Sequence, residues 1–140
     1  EDAETTRKNF ERKGKITHEI AKEAEKFEMI KMHGKKDSKN LIIGWGSTKG
    51  AIVDAINENN IDAKFLQILF MKPFPSKKVL DEIKKAKNII LVENNVTGQL
   101  GDLITRKTGF FIDNKNKILK GDGRPFFSDE LAEEIKERIK

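Results

Sequence analysis

The chain contains no cysteine. That absence excludes disulfides, cysteine-ligated zinc, thiolate-bound iron–sulfur clusters and cysteine nucleophiles in one step. It suits a reducing, intracellular setting. Histidine is almost as scarce. Only His18 and His33 occur, both in a polar stretch and without metal-ligand spacing, so both are expected to face solvent. No apolar run approaches the roughly 20 residues needed to cross a bilayer, and no secretory signal pattern is visible. No membrane contact is therefore expected, and the expected location is cytoplasmic. The chain opens Glu1-Asp2-Ala3 rather than with Met, which fits a piece of a longer protein.

Charge is what the chain has in abundance. Of 140 residues, 36% are charged, and 28 Lys plus Arg stand against 23 Asp plus Glu for a net +5. Mean hydropathy is −0.61. The length fits one compact domain with an attached element. A surface this rich in Lys and Glu is a pattern seen in thermophile proteins. Basic runs are interleaved with acids, as in Asp81-Glu82-Ile83-Lys84-Lys85 and Glu133-Glu134-Ile135-Lys136-Glu137-Arg138. Such runs read as solvated helix faces with local ion pairs, and no nucleic-acid partner is expected from them.

Residues 1–38 read as a polar helical arm that must lie against something. Ile16, Ile20, Ala24 and Phe27 fall near one helical face, Gly14 predicts a break, and His33 to Ser38 reads as a connecting loop. Residues 39–140 read as an α/β domain. Leu41-Ile42-Ile43-Gly44-Trp45 is a strand buried on both faces. Ile52, Val53 and Ile56 mark a helix that Asn57 to Asn60 ends. Lys64 to Met71 is a second strand, stopped by Pro73 and Pro75. A helix from Ser76, a strand over Asn88 to Glu93 and a helix carrying Leu100, Leu103 and Ile104 follow. Residues 110–119 read as a strand pair around a short turn. A last helix carries Leu131, Ile135 and Ile139, with Ser128 as its N-cap. Strand and helix alternation predicts a mostly parallel sheet with helices on both faces and an antiparallel edge at 110–119.

In such sheets ligands bind beyond the carboxyl ends of the strands. Gly44-Trp45-Gly46-Ser47-Thr48, Lys72-Pro73-Phe74-Pro75 and Glu93 to Gln99 belong there. Gly44, Gly46 and Gly50 give a loose relative of the dinucleotide fingerprint, but no acidic residue ends the second strand and no P-loop Gly-Lys-Ser/Thr follows. The glycines are read as serving a tight turn, with Ser47 and Thr48 as the rival phosphate or carboxylate contact. Glu93 has no base or nucleophile to work with and reads as a carboxylate bonding a neighbouring turn or loop. Phe74 either covers the local core or docks on another domain. No nucleophile–base pair, carboxylate pair or metal cluster can be assembled, so no catalytic residue and no metal site are expected.

LIIGWGSTKG at 41–50, KPFP at 72–75, ENN at 93–95, GQL at 98–100 and KGDGRPF at 120–126 occur in that order. This series resembles the C-terminal region of 2-oxoacid:ferredoxin oxidoreductase α subunits, particularly the 2-oxoglutarate type. The arm is similar to the segment that links the thiamine-pyrimidine-binding domain to this one. The resemblance implies a three-layer α/β/α domain like the transketolase C-terminal domain. It further implies a complex that uses thiamine diphosphate, Mg, iron–sulfur clusters and CoA, with ferredoxin as acceptor. The β subunit and the pyrimidine-binding domain would be its partners, and this fragment would bind none of those cofactors itself. Gly46, Ser47, Thr48, Gly98, Gln99 and Arg124 are the candidates for an anion or CoA contact, Arg124 being otherwise a surface arginine or an interdomain ion-pair partner. A free-standing nucleotide- or CoA-binding module is the main alternative, a basic nucleic-acid-binding protein a lesser one. A pyruvate-type or branched-chain-type oxidoreductase stays open for the substrate.

Overall fold

A strand with apolar residues on both of its faces needs cover on both sides. The computed structural model, which describes residues 2–139, supplies it. The first helix, α1, spans Ala3–Ala24 and is followed by strand β1, Ile30–Gly34. Then come β2 (Asn40–Trp45), α2 (Thr48–Glu58), β3 (Lys64–Ile68), α3 (Ser76–Lys85) and β4 (Asn88–Glu93). The chain finishes with α4 (Gln99–Thr108), a 3-10 turn at Asn114–Asn116, β5 (Lys117–Leu119) and α5 (Ser128–Arg138). The five strands form one sheet in the order β1-β3-β2-β4-β5. All neighbours are parallel except β1 with β3.

Side chains alternate across a strand, and the alternation divides the core into two. Ile42, Phe65, Ile90, Val92 and Ile118 point to one face, where Ile52, Ala55 and Ile56 of α2 and Leu131 and Ile135 of α5 cover them. Leu41, Ile43, Leu66, Ile68 and Leu91 point to the other, under Val79 and Ile83 of α3 and Leu100 and Ile104 of α4. The result is the expected three-layer α/β/α arrangement. Gly44 permits the close seating of α2: a Cβ there would stand 2.9 Å from both Ile52 Cδ1 and Thr48 Oγ1.

Several local expectations are corrected. Gly14 does not break α1, which runs through it for 22 residues. A single glycine costs about 1 kcal/mol in a helix, and its neighbours oppose that with an Asp2 N-cap and the Glu4–Lys8 and Arg7–Glu11 pairs. The loop expected from His33 begins instead as β1, which runs Ile30–Gly34 and pairs antiparallel with β3. Five residues read as arm therefore belong to the sheet. His33 is half-buried rather than solvent-facing, with Nε2 2.9 Å from Gln67 Oε1 and its ring stacked on Phe65 at 5.4 Å; His18 is exposed as expected. The strand pair at 110–119 does not form. Ile112 is buried in the core from an extended loop, Asp113 accepts from the Lys115 amide, and only 117–119 joins the sheet, parallel to β4. The antiparallel edge thus lies at the opposite side of the sheet. β3 stops at Ile68, because the Leu69 and Phe70 amides both turn to the Met29 carbonyl. Phe127, not Ser128, is the N-cap of α5, and the Ser128 hydroxyl donates to Glu58 Oε2 at 3.2 Å.

Among the described residues, two ionisable side chains are buried in this frame, Glu93 at the carboxyl end of β4 and Lys64. Lys64 of β3 is only 4% exposed, and its ammonium donates to Glu82 Oε2 at 3.0 Å while Lys85 donates to Glu82 Oε1 at 2.6 Å. Burial pushes the Glu82 carboxyl up, but hydrogen bonds from Lys85 and Lys64, together with their charges, outweigh it and hold the group below its ordinary value of 4.5. A lowered folded-state value contributes stability that is fully present above the unfolded value and lost as pH falls through the folded one. Urea unfolding of Glu82→Gln is expected to show a loss of roughly 3 kcal/mol, since Lys64 would remain buried without a counter-charge. The double variant Lys64→Met, Glu82→Leu should recover most of it, and the single variant should also flatten the stability decline below pH 4.5.

Candidate functional site

The chain leaves β2 towards β3 on one side and leaves β4 towards β5 on the other. The connections follow opposite faces, α2 on one and α4 on the other. Adjacent parallel strands whose connections diverge leave a crevice beyond their carboxyl ends. A cleft of about 270 Å³ lies at that point, lined by Trp45, Gly46, Ser47, Thr48, Asn94 and Asn95. Gly46 turns the chain there with φ +58, a conformation that a side chain opposes. The Thr48 hydroxyl donates to the Trp45 carbonyl at 2.8 Å and so closes the turn. Ser47 caps α2 without a side-chain hydrogen bond, and the Trp45 ring forms a wall that is 40% exposed.

The opposite wall is organised by Glu93. This carboxylate is fully buried at the end of β4. It accepts from the Leu100 amide at 2.9 Å with both oxygens, from the Gly101 amide at 3.3 Å, and from Asn95 Nδ2 at 2.9 Å. A carboxylate at the first turn of a helix satisfies its free amides and complements the helix dipole. Asn95 extends the arrangement: its Oδ1 accepts from the amides of Thr97 (3.1 Å), Gly98 (2.7 Å) and Gln99 (3.4 Å). With its amide nitrogen turned inward, Asn94 donates to the carbonyls of Lys120 at 3.1 Å and Arg124 at 3.2 Å. The 120–127 loop is thereby fastened to the cleft. Val96 presses on that loop as well, since a Cβ on Gly121 would fall 2.1 Å from Val96 Cγ1.

The structure brings Gly46, Ser47 and Thr48 together with Asn94 and Asn95, two residues that sequence reading placed at this edge without a role. Gly98 and Gln99 sit behind Asn95, their amides already taken by its side chain. Arg124 is exposed, and its amide donates to Asp122 Oδ1 at 3.0 Å. The Asn95-Val96-Thr97-Gly98 run, with Asn and Gly three apart, is a turn signal that sequence alone offers; the Asn94 contacts are tertiary and leave no local trace. Phe74 is half-buried against the α3–α4 side of the core, and Pro73, Phe74 and Pro75 also line a groove of about 540 Å³ with Ala21 and Met29. Among the described residues no three His, Cys, Asp or Glu side chains converge as a metal site would require, and no helix is long and apolar enough to cross a membrane.

Glu93→Gln leaves one oxygen for three donors, so its NH₂ must face either the Asn95 amide nitrogen or the Leu100 and Gly101 amides. A loss of roughly 2–3 kcal/mol is expected in denaturant unfolding, with faster hydrogen exchange at those two amides than elsewhere in α4.

Residues 38–131 match the family described as pyruvate:ferredoxin oxidoreductase core domain II. The α subunit of 2-oxoacid:ferredoxin oxidoreductase 1 from Sulfurisphaera tokodaii is 38% identical over 131 residues, which is 94% of this chain and 21% of that subunit. The chain therefore spans about a fifth of the length of such a relative. The α chain of a probable 2-oxoacid ferredoxin oxidoreductase from Thermoplasma acidophilum is 35% identical with a TM-score of 0.51, covering 78% of this chain and 95% of that one. A 2-oxoglutarate:ferredoxin oxidoreductase from Magnetococcus marinus, solved with 2-oxoglutarate, coenzyme A and succinyl-CoA, shares the fold. Its TM-score is 0.71 at 24% identity, over 81% of this chain and 20% of that one. The order of motifs, the three-layer sheet and these matches agree, and the chain belongs to the pyruvate:ferredoxin oxidoreductase core domain II family.

Proposed function

We propose that the chain is an assembly domain of the α subunit of a 2-oxoacid:ferredoxin oxidoreductase and contributes packing surfaces rather than reacting groups. The observation that carries this reading is the use made of Glu93. The one carboxylate buried at the carboxyl edge of the sheet is committed to the amides of α4 and to Asn95. A general acid or base needs its carboxyl free to reach a substrate. Its neighbours in the cleft are amides, hydroxyls and an indole, none of which is paired with a base.

Across the whole enzyme, thiamine diphosphate with Mg would decarboxylate the 2-oxoacid, iron–sulfur clusters would carry electrons to ferredoxin, and CoA would accept the acyl group. The residues of this chain do not fit the clusters, having no cysteine, nor a divalent-ion site among the described residues. Those groups belong to other polypeptide segments in this reading. The motif series favours 2-oxoglutarate as the oxoacid, and the cytoplasm is the place of action that the lack of cysteine and of a signal pattern suits. A narrower second reading keeps CoA at the cleft. The Ser47 hydroxyl, free of a capping bond, lines the cleft with the exposed Trp45, Gly46 and Thr48, and Gly98, Gln99 and Arg124 complete the candidate set.

Calorimetric titration of the chain with thiamine diphosphate and Mg²⁺ is expected to show no saturable heat, and co-expression with the remaining polypeptides of the oxidoreductase should give a complex on size-exclusion chromatography. Saturable thiamine diphosphate binding by the chain alone would overturn the assembly reading. Saturable CoA binding, abolished by Trp45→Ala, would move the cleft into the acceptor site.

A further inference from the structure

At the sheet edge opposite the cleft, three turns distant in sequence meet: β1–β2, α2–β3 and α3–β4. Hydrogen bonds fasten them to one another. Asn88 Nδ2 donates to Asn40 Oδ1 at 2.7 Å, Asn40 Nδ2 to the Asp62 carbonyl at 2.8 Å, and the Ser38 hydroxyl to the same carbonyl at 3.0 Å. The Lys87 amide donates to the Lys39 carbonyl at 2.8 Å. The product is a fixed floor with a shallow depression of about 500 Å³ between residues 35–40 and Asp62.

Six exposed lysines ring this floor: Lys35, Lys36, Lys39, Lys84, Lys85 and Lys87. Asp37, Asp62 and Asp81 are the acids that stand with them, Asp81 acting on Lys85 from the same helix, and Glu82 beneath is matched by the buried Lys64. Six lysines against three aspartates leave the rim at +3. Lys84 and Lys85 occupy the last turn of α3, where the helix dipole favours cations. Lys36, Lys39 and Lys87 have no such reason to be there. Among the described residues Lys35 pairs with Asp62 at 3.8 Å and Lys85 with Glu82 at 2.6 Å, while Lys36, Lys39, Lys84 and Lys87 pair with no carboxylate. Lys84 and Lys85 share their helix with Asp81 and Glu82, as basic residues do along most of the chain, whereas Lys36, Lys39 and Lys87 have no paired acid among the described residues. Here it gathers one sign on a rigid support, which costs self-repulsion in the free molecule and is offset when an opposite charge arrives.

The chemistry of the floor favours carboxylates over nucleic acid. Asp37, Asp62, Ser38 and Asn40 lie among the lysines, and no arginine fork or aromatic platform for bases is present at the rim. We propose that this lysine rim is the contact surface for an acidic face of a neighbouring polypeptide in the oxidoreductase assembly, an inference that rests on the assembly reading above. Complementary charge of this kind governs association rate and partner choice, and weakens with salt.

The test uses the co-expressed complex. Zero-length carbodiimide coupling, read by mass spectrometry, is expected to join Lys36, Lys39 or Lys87 to Asp or Glu of another polypeptide, and lysine acylation of those residues should be slower in the complex than in the chain alone. Reversal of all three (Lys36→Glu, Lys39→Glu, Lys87→Glu) should weaken assembly by about tenfold or more at low salt. The same change at the exposed Lys49, Lys107 and Lys115 should leave it within about threefold. A complex that forms with the rim lysines fully reactive would overturn the rim and leave the assembly reading standing. Equal losses from the two triple variants would reduce the effect to net charge and overturn it as well, as would rim reversal that abolishes oligonucleotide binding while assembly is unchanged. If the unaltered chain forms no complex, both readings fall together.

Discussion

Burial of the parallel strands on both faces is the constraint that the rest of the molecule answers to. Leu41, Ile42 and Ile43 are all fully buried, although neighbouring residues of a strand point in opposite directions. Helices must therefore lie on both faces, and the connections must leave the central strands in opposite senses. From that follows the position of the cleft. It opens between β2 and β4 because these neighbours send their chains to different faces, not because any one loop is specialised to make a pocket. The fold thus creates a place for chemistry before any residue is chosen to fill it.

What fills it is largely structural. A buried carboxyl group is costly unless hydrogen-bonded, and Glu93 meets that demand by taking the amides that α4 leaves open at its first turn. Asn95 and Asn94 then carry the same logic outward to residues 97–99 and to the 120–127 loop. The polar side chains of Glu93, Asn95 and Asn94 thus converge on backbone groups. The lysines on the opposite edge are the contrary case, polar groups fixed in place and directed outward.

The sheet was readable in the sequence because its signal is local. The apolar runs at 41–45 and 88–93 and the spaced apolar residues of α2, α3 and α4 leave few alternatives. The edges were not readable, for a matching reason. β1 is short, holds Lys31 and His33, and owes its strand conformation to pairing with β3, a partner thirty residues away. The segment at 110–113 has strand composition but finds no ladder partner, and its isoleucine is buried without one. Gly14 misled in the other direction, since a cap and two ion pairs within α1 outweigh one weak residue. At the site, the turn-forming residues 46 and 95 could be picked out, whereas the reach of Asn94 to the 120–127 loop is visible only in three dimensions.

The attachment of α1 has a mechanical consequence. A helix of 22 residues is a rod about 33 Å long, and its only buried residue, Ala24, sits at its final turn. Beyond that turn the link to the sheet consists of five residues, the Phe27–Phe70 stack, and the Met29 carbonyl held by two amides. Such a rod is a lever with a short fulcrum. A push at Phe10 is delivered to β1 and β3, passes next to β2 at the wall of the cleft, and reaches β5 last.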